Sequence, residues 1–414
     1  MQSAPRAVAD HLTEVLALVA PLPAVRVPVV DAADHVLAED VHAPEALPRW
    51  DNSAMDGYAV RADDVAAASD AAPVRLTVLA DLPAGSAAEP VVAPGTAARI
   101  MTGAPVPPGA DSVVPVERTD AGTDVVAVRA PAVLGAHVRR AGEDVVAGEL
   151  VLARGTLLGP TQVAAAASVG CGDVVVHRRP RVAVLSTGSE LVVPGTPVTR
   201  GQIPDSNSFL LAAAVRTAGC DVVRVGAVPD DADALRAALD EQDGAVDLVV
   251  TSGGVSMGAY DVVKEVLAGE AGMSFVAVAM QPGKPQGLGR LRRGTPILAL
   301  PGNPVSAFVS FEVFVRPALR VLRGLAPGGD DETAIALEGW SSPPGREQYM
   351  PVTLRGTARR GDGPTVAGVR PAVRGGSGSH LVAGLARAEA LAVVAADVER
   401  VEPGDRVRLM RAQR

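Results

Sequence analysis

Three polar, glycine-bearing turns follow directly on short apolar runs in this chain, and two of them carry hydroxyl side chains. Thr251-Ser-Gly-Gly-Val-Ser-Met-Gly258 follows the run 247–250, and from Asp261 onward Val262, Val263, Val266 and Leu267 recur at helical spacing. Ser186-Thr-Gly-Ser-Glu190 closes a second apolar run beginning at Arg181, and Leu300-Pro-Gly-Asn-Pro304 closes a third. Glycines let backbone N–H groups approach an anion, and a helix start adds positive potential, so the chemistry offered is binding of a phosphate-like group. The first turn has neither the Gly-Lys-Ser/Thr of a Walker loop nor a GxGxxG spacing. Taken alone, it reads equally as a phosphate site or as a plain tight turn between strand and helix. Three such turns favour a site, because in an open parallel sheet they gather at the carboxyl ends of the strands.

Other residues could work beside them. Glu190 lies just past its turn. Asp230-Asp231 precedes a helix that one carboxylate suffices to cap, leaving the other for a ligand. Lys284, in Gln281-Pro-Gly-Lys-Pro-Gln286, is either a positioned point charge or a solvated loop lysine. Asp51 and Asp56 stand among Trp50, Met55 and Tyr58 in a chain with 2% aromatic residues, which suggests a site more than an ordinary polar turn. Arg139 and Arg140 could clamp an anion or be a solvated pair. Gly375-Gly-Ser-Gly-Ser-His380 is either a disordered loop or the edge of a site.

The elements that must position these residues follow from periodicity. Residues 1–177 begin with an amphipathic helix carrying Val8, Leu12, Val15, Leu16 and Val19. They contain a β-rich module at about 55–145, in which Asp56-Gly57 reads as a hairpin signal, and an Ala-rich helix from Pro160. Residues 178–326 alternate strands (181–186, 221–228, 247–251, 274–279, 296–300) with helices (206–218, 231–241, 261–268, 305–322), the pattern of a doubly wound α/β sheet. Residues 332–414 are strand-rich and suggest a small β-barrel.

Composition excludes several classes. No apolar run approaches the ~18 residues of a membrane span, and Asp10 and Glu14 interrupt any signal-peptide core, so a soluble cytoplasmic protein is expected. The net charge of −9 disfavours nucleic acid and anionic membrane as partners. Two distant cysteines, Cys171 and Cys220, argue against a disulfide framework or a thiolate zinc site, and the six histidines show no HExxH.

Several motifs occur together and in order: Asp51-Asn-Ser-Ala-Met-Asp-Gly-Tyr-Ala59, Met101-Thr-Gly-Ala104, Arg140-Ala-Gly-Glu-Asp144, Ser186-Thr-Gly-Ser-Glu-Leu191, Ser252-Gly-Gly-Val-Ser256 and Leu300-Pro-Gly-Asn-Pro-Val-Ser306. On these the chain resembles, over essentially its whole length, the MoeA-type molybdopterin molybdenumtransferases, a family that includes the E domain of gephyrin. The resemblance implies an elongated N-terminal region with an inserted β module, a MogA-like α/β domain and a C-terminal β-barrel. It also implies a homodimer in which Asp56 and Thr102 of one copy face the α/β domain of the other. The implied reaction is magnesium-dependent. Adenylylated molybdopterin loses AMP as molybdate enters the dithiolene. The adenylylated pterin would be handed over by a molybdopterin adenylyltransferase, and the product passed to molybdoenzymes.

The residues suit that chemistry. The substrate brings its own sulfurs, so no cysteine ligand is needed. Carboxylates at Glu190, Asp230 and Asp261 would repel the anionic ligands unless a hard cation such as Mg²⁺ lies between. By resemblance Asp56 joins these three as a catalytic residue, and Lys284, read from its Pro/Gly-locked loop as a positioned charge, is counted with them. Substrate contacts fall to Thr102, Arg139, Arg140, Thr187, Gly188, Asp205, Ser206, Asn207, Ser252, Gly253, Gly254, Ser256, Pro301, Gly302, Asn303, Pro304 and Ser379. Pro301 and Pro304 shape a rigid turn. Some relatives carry lysine where Ala277 and Gln281 stand here; losing the two cations either weakens molybdate or phosphate binding or shifts it to Lys284 and nearby arginines. Two other readings are weighed: the preceding adenylyltransferase, which lacks the N-terminal module and barrel, and a non-catalytic scaffold, against which the retained acidic cluster speaks.

Overall fold

The computed structural model describes residues 4–255, 261–270, 272–328, 332–358, 366–373 and 382–411. The chain divides into two compact units. One comprises residues 1–25, 34–38 and 175–414, the other residues 26–33 and 39–174. Helix α1 (Val8–Leu16) belongs to the first. It buries His11 and Val15, and the His11 ring stands edge-on to Phe314, with centroids 4.6 Å apart.

The second unit holds the β module. Strands β1 (Gly57–Val60), β2 (Val74–Leu82), β3 (Thr96–Ile100), β4 (Ser112–Pro115) and β5 (Val125–Val128) form one sheet in the order β4-β1-β3-β2-β5. Both faces are covered: Tyr58, Val60, Leu76 and Val114 pack on one, Ala59, Leu82, Ile100 and Val113 on the other. The Asp56-Gly57 hairpin expectation is corrected. Residues 52–53 pair with 138–139, whereas β1 pairs with β3 and β4, so no hairpin joins them. Gly57 is glycine for a different reason: a Cβ there would lie 2.0 Å from the Val114 carbonyl oxygen. Helix α2 (Pro160–Ser168) starts with Pro at its first turn, where the missing N–H costs nothing.

The first unit carries the α/β sheet. Strands β6 (Arg181–Thr187), β7 (Asp221–Val228), β8 (Leu248–Ser252), β9 (Ser274–Ala277), β10 (Pro285–Arg290) and β11 (Pro296–Leu300) run in the order β7-β6-β8-β11-β10-β9. The first four are parallel, and β10 and β9 are antiparallel additions. Strand β10 was not foreseen, because Pro285 and two glycines hide it. Gly287 and Gly289 leave room for Phe275 and Met273 of the neighbouring chain segment.

Helices α3 (Asn207–Thr217), α4 (Ala232–Gln242), α5 (Val262–Leu267), α6 (Pro304–Ser310) and α7 (Arg316–Leu322) cover the sheet, with one π-helical turn, Phe311–Val315, between the last two. Alternation along the strands makes two cores. Val182, Val184, Val250 and Leu300 face Leu211, Val215 and Val309; Ala183, Leu185, Val249 and Ala299 face Leu235, Leu239 and Val263. Strands buried on both faces read as continuous apolar runs, the feature that made β6 and β8 visible in the sequence.

Strands β12 (Glu332–Ala336), β13 (Glu347–Ala358), β14 (Val366–Pro371), β15 (Ala390–Val394) and β16 (Arg406–Arg411) close a five-stranded barrel, since β13 pairs with both β14 and β15. Among the described residues no helix is long and apolar enough to cross a membrane.

Candidate active site

The three polar glycine turns end β6, β8 and β11, which are adjacent and parallel, so they meet at one edge of the sheet. Together with the starts of α3 and α6 they wall a crevice of about 500 Å³. Its lining includes Thr187, Gly188, Glu190, Asp205, Ser206, Asn207, Asp230, Ser252, Gly253, Gly254, Asp261, Pro301, Gly302, Asn303 and Pro304. Most sequence-derived candidates of the α/β region thus converge.

Close approach explains the glycines. At Gly253 the backbone has φ +103°, and a Cβ would lie 2.6 Å from the Thr187 carbonyl oxygen. Gly254, at φ +66°, has no room beside Val263. The turns are also tied together. The Gly253 N–H donates to the Leu300 carbonyl at 3.1 Å, and that of Gly188 to the Val228 carbonyl at 3.1 Å. Asn207 Nδ2 donates to Ser252 Oγ at 2.9 Å and to the Gly302 carbonyl at 2.6 Å, while Ser252 Oγ donates to the Pro301 carbonyl at 3.1 Å.

The carboxylates differ in their commitments. Asp231 caps α4 by accepting from the Ala234 N–H at 2.8 Å. Asp230 instead accepts from the Ser189 N–H at 3.0 Å, and Ser189 Oγ in turn accepts from the Asp230 N–H at 3.0 Å. This reciprocal pair locks the end of β7 to the end of β6. Glu190 and Asp230 are exposed, and the Glu190 carboxylate lies over Gly188, where a Cβ would meet its oxygen at 2.6 Å. Asp205 is 2% exposed and accepts from both the N–H and the hydroxyl of Ser208, so it fixes the start of α3. Asp261 sits at the start of α5, which is too short to be an anion site by its dipole alone.

Among the described residues no three His, Cys, Asp or Glu side chains come together as a ready ligand set. Lys284 is exposed and is not in the crevice wall, although Pro285 is. Gln281 Oε1 accepts from Arg346 Nη1 at 3.3 Å. Ser256 and Ser379 lie outside the described residues. Cys220 is buried, its thiol pushed up to about 12 mainly by desolvation, which makes it a structural residue and no nucleophile.

Four candidates lie in the other unit. Asp56 Oδ1 accepts from the Thr102 N–H at 2.7 Å and its hydroxyl at 2.8 Å, and the backbone bond is the main reason its carboxyl is held below the usual range. Arg140 pairs with Asp51 at 2.5 Å, and Asp51 also accepts from the Ala141 N–H at 2.8 Å. The two arginines are therefore unequal: Arg140 is committed to its neighbour, and Arg139 is exposed with no ion pair among the described residues. Sequence reasoning missed Ser306, which also lines the crevice. Its place two residues after Pro304, on the first turn of the helix leaving β11, was the available signal.

This succession of parts defines a class. The description "MoeA N-terminal region (domain I and II)" matches residues 6–170, "Probable molybdopterin binding domain" residues 183–321, and "MoeA C-terminal region (domain IV)" residues 333–411. Molybdopterin molybdenumtransferase 2 of Mycobacterium tuberculosis is 46% identical over 411 residues, covering 98% of this chain and 99% of that one. Molybdopterin molybdenumtransferase 1 of the same organism is 40% identical, covering 94% of each. The crystal structure of a molybdopterin biosynthesis MoeA protein from Pyrococcus horikoshii superposes with a TM-score of 0.80 at 32% identity over 99% of both chains. The chain belongs to the MoeA family of molybdopterin molybdenumtransferases.

Proposed function

We propose that this protein is a cytoplasmic molybdopterin molybdenumtransferase that takes adenylylated molybdopterin and molybdate, releases AMP and leaves molybdenum on the dithiolene. The supporting observation is the crevice itself, where three amide-rich turns share walls with Glu190, Asp230 and Asp261. The turns suit the phosphates, and the carboxylates suit a divalent cation that offsets the ligands' negative charge.

The donor set fits Mg²⁺ rather than a metal wanting a full protein cage. The oxygens are hard, Glu190 and Asp230 are exposed, and Mg²⁺ takes one or two carboxylates and completes its shell with substrate oxygens and water. When bound, Mg²⁺ would lessen the negative charge on the phosphoryl oxygens. The chain's own residues do the rest. Gly253 and Gly254 keep side chains out of the second turn so that a phosphate can approach its backbone, the Gly253 N–H itself being spent on the Leu300 carbonyl; the Asn207–Ser252–Gly302 bonds fix the spacing between turns, and Pro301 and Pro304 stiffen the third turn. We assign the working form to a homodimer, with Asp56 and Thr102 supplied by the partner copy, and domains at 1–177, 178–326 and 332–414.

The test is direct. Purified protein given adenylylated molybdopterin, molybdate and Mg²⁺ should form molybdenum cofactor and AMP in equal amounts. Pyrophosphate release from ATP and molybdopterin, with no cofactor formed, would point to the adenylyltransferase instead.

A further inference from the structure

The bonds around Asn207 fix the direction of its amide. Its Nδ2 lies 2.9 Å from Ser252 Oγ and 2.6 Å from the Gly302 carbonyl, and Ser252 spends its own proton on the Pro301 carbonyl. Turning the amide over would set Oδ1 against the Gly302 carbonyl, two acceptors at 2.6 Å. Oδ1 is therefore held as an acceptor. It is buried and has no hydrogen-bond partner among the described residues, although Asn207 is 8% exposed and lines the crevice. An orphaned buried acceptor destabilises the fold, and a ligand donor would recover that loss.

Most of the proposed ligand cannot supply that donor. Ionised phosphate and molybdate oxygens accept hydrogen bonds, and a carbonyl oxygen aimed at them repels. The nearby orphans Ser186 Oγ and Thr187 Oγ1 do not discriminate, because a hydroxyl turns to suit either role. Only the amide has a fixed sense. Resting on the function proposed above, we infer that Asn207 Oδ1 is a specificity-determining acceptor for an N–H at the edge of the ligand's heterocycle, and not an anion contact. The ring is the adenine or the pterin, each of which carries an exocyclic amino group.

The test pairs ligand with variant. The parent and Asn207→Ala are titrated by calorimetry with AMP against purine riboside 5′-monophosphate, which lacks the amino group, and with a pterin against its deamino counterpart. Titrations are run in EDTA and again with saturating Mg²⁺, and the ratio is read in each buffer that supports binding, because an amide oxygen is also a ligand for hard cations. In the parent, one pair should show a preference of about tenfold for the amino-bearing ligand, and Asn207→Ala should bring that ratio near one. The pair that responds identifies the ring. A general loosening of the turns would weaken both members of a pair and leave the ratio unchanged. Ratios shifting by less than about twofold in both pairs would overturn the inference. A parent that binds no nucleotide or pterin, with or without Mg²⁺, would instead defeat the function on which it rests, and the inference with it.

Discussion

Gly253→Ala and Gly302→Ala place the same methyl group in two neighbouring turns, and the structure demands opposite outcomes. At Gly253 the new Cβ would stand 2.6 Å from the Thr187 carbonyl oxygen and 2.7 Å from Thr187 Oγ1, on a backbone at φ +103°. A non-glycine residue in a sparsely populated region costs about 1–3 kcal/mol, and forcing an atom into a packed site costs about as much again. The expected loss is about 2–6 kcal/mol, a fall in Tm of about 4–10 °C for a unit of about 270 residues. At Gly302 the nearest atom to an added Cβ is the Gly253 Cα at 3.4 Å, ordinary van der Waals contact, so the loss should stay below about 1 kcal/mol. Differential scanning fluorimetry reads both directly. Phosphate titrations should show weaker binding for Gly253→Ala even where it stays folded, because the turn must shift away from β6. Equal losses for the two variants, or a Gly253→Ala protein as stable as the parent, would refute the close-approach argument for the whole crevice.

Burial lowers His11 from 6.5 to about 4, so the unfolded chain binds its proton more readily. Stability from this ring is full above pH 6.5 and is lost as pH falls toward 4, by about 3 kcal/mol, and His11→Leu should flatten that part of a stability–pH curve. Thr102→Ala removes only the hydroxyl bond to Asp56, so an NMR titration should find the carboxyl partly returned toward its ordinary range, with the backbone bond retaining the larger share. Arg140→Ala should cost less than about 1 kcal/mol in thermal denaturation, because the pair with Asp51 is solvent-exposed.

What the sequence disclosed was periodic or paired. Buried parallel strands such as β6 and β8 are unbroken apolar runs, and their turns announce themselves by glycine beside hydroxyl, so the crevice was legible from Thr187, Gly188 and Ser252–Gly254. The division of labour at Asp230 and Asp231 was half legible: one cap was foreseen, but the bond from Ser189 to Asp230 joins residues 41 apart, which no local pattern records. Strand β10 was hidden because its glycines serve packing against Phe275 and Met273 and dilute any apolar alternation. Asp56-Gly57 misled for the same reason, since a glycine needed for clearance from Val114 looks in sequence like one needed for a turn. The commitment of Arg140 to Asp51 likewise depends on chain contacts 89 residues apart.

The central claim is that the crevice carboxylates act with a divalent cation on an anionic pterin nucleotide. The most direct measurement is AMP release from adenylylated molybdopterin across a Mg²⁺ titration, for the parent and for Glu190→Gln and Asp261→Asn. The account predicts no turnover in EDTA, restoration by Mg²⁺ in the parent, and turnover about 10²-fold lower or worse in each variant at every Mg²⁺ concentration. Variants that match the parent, or a parent indifferent to EDTA, would contradict it.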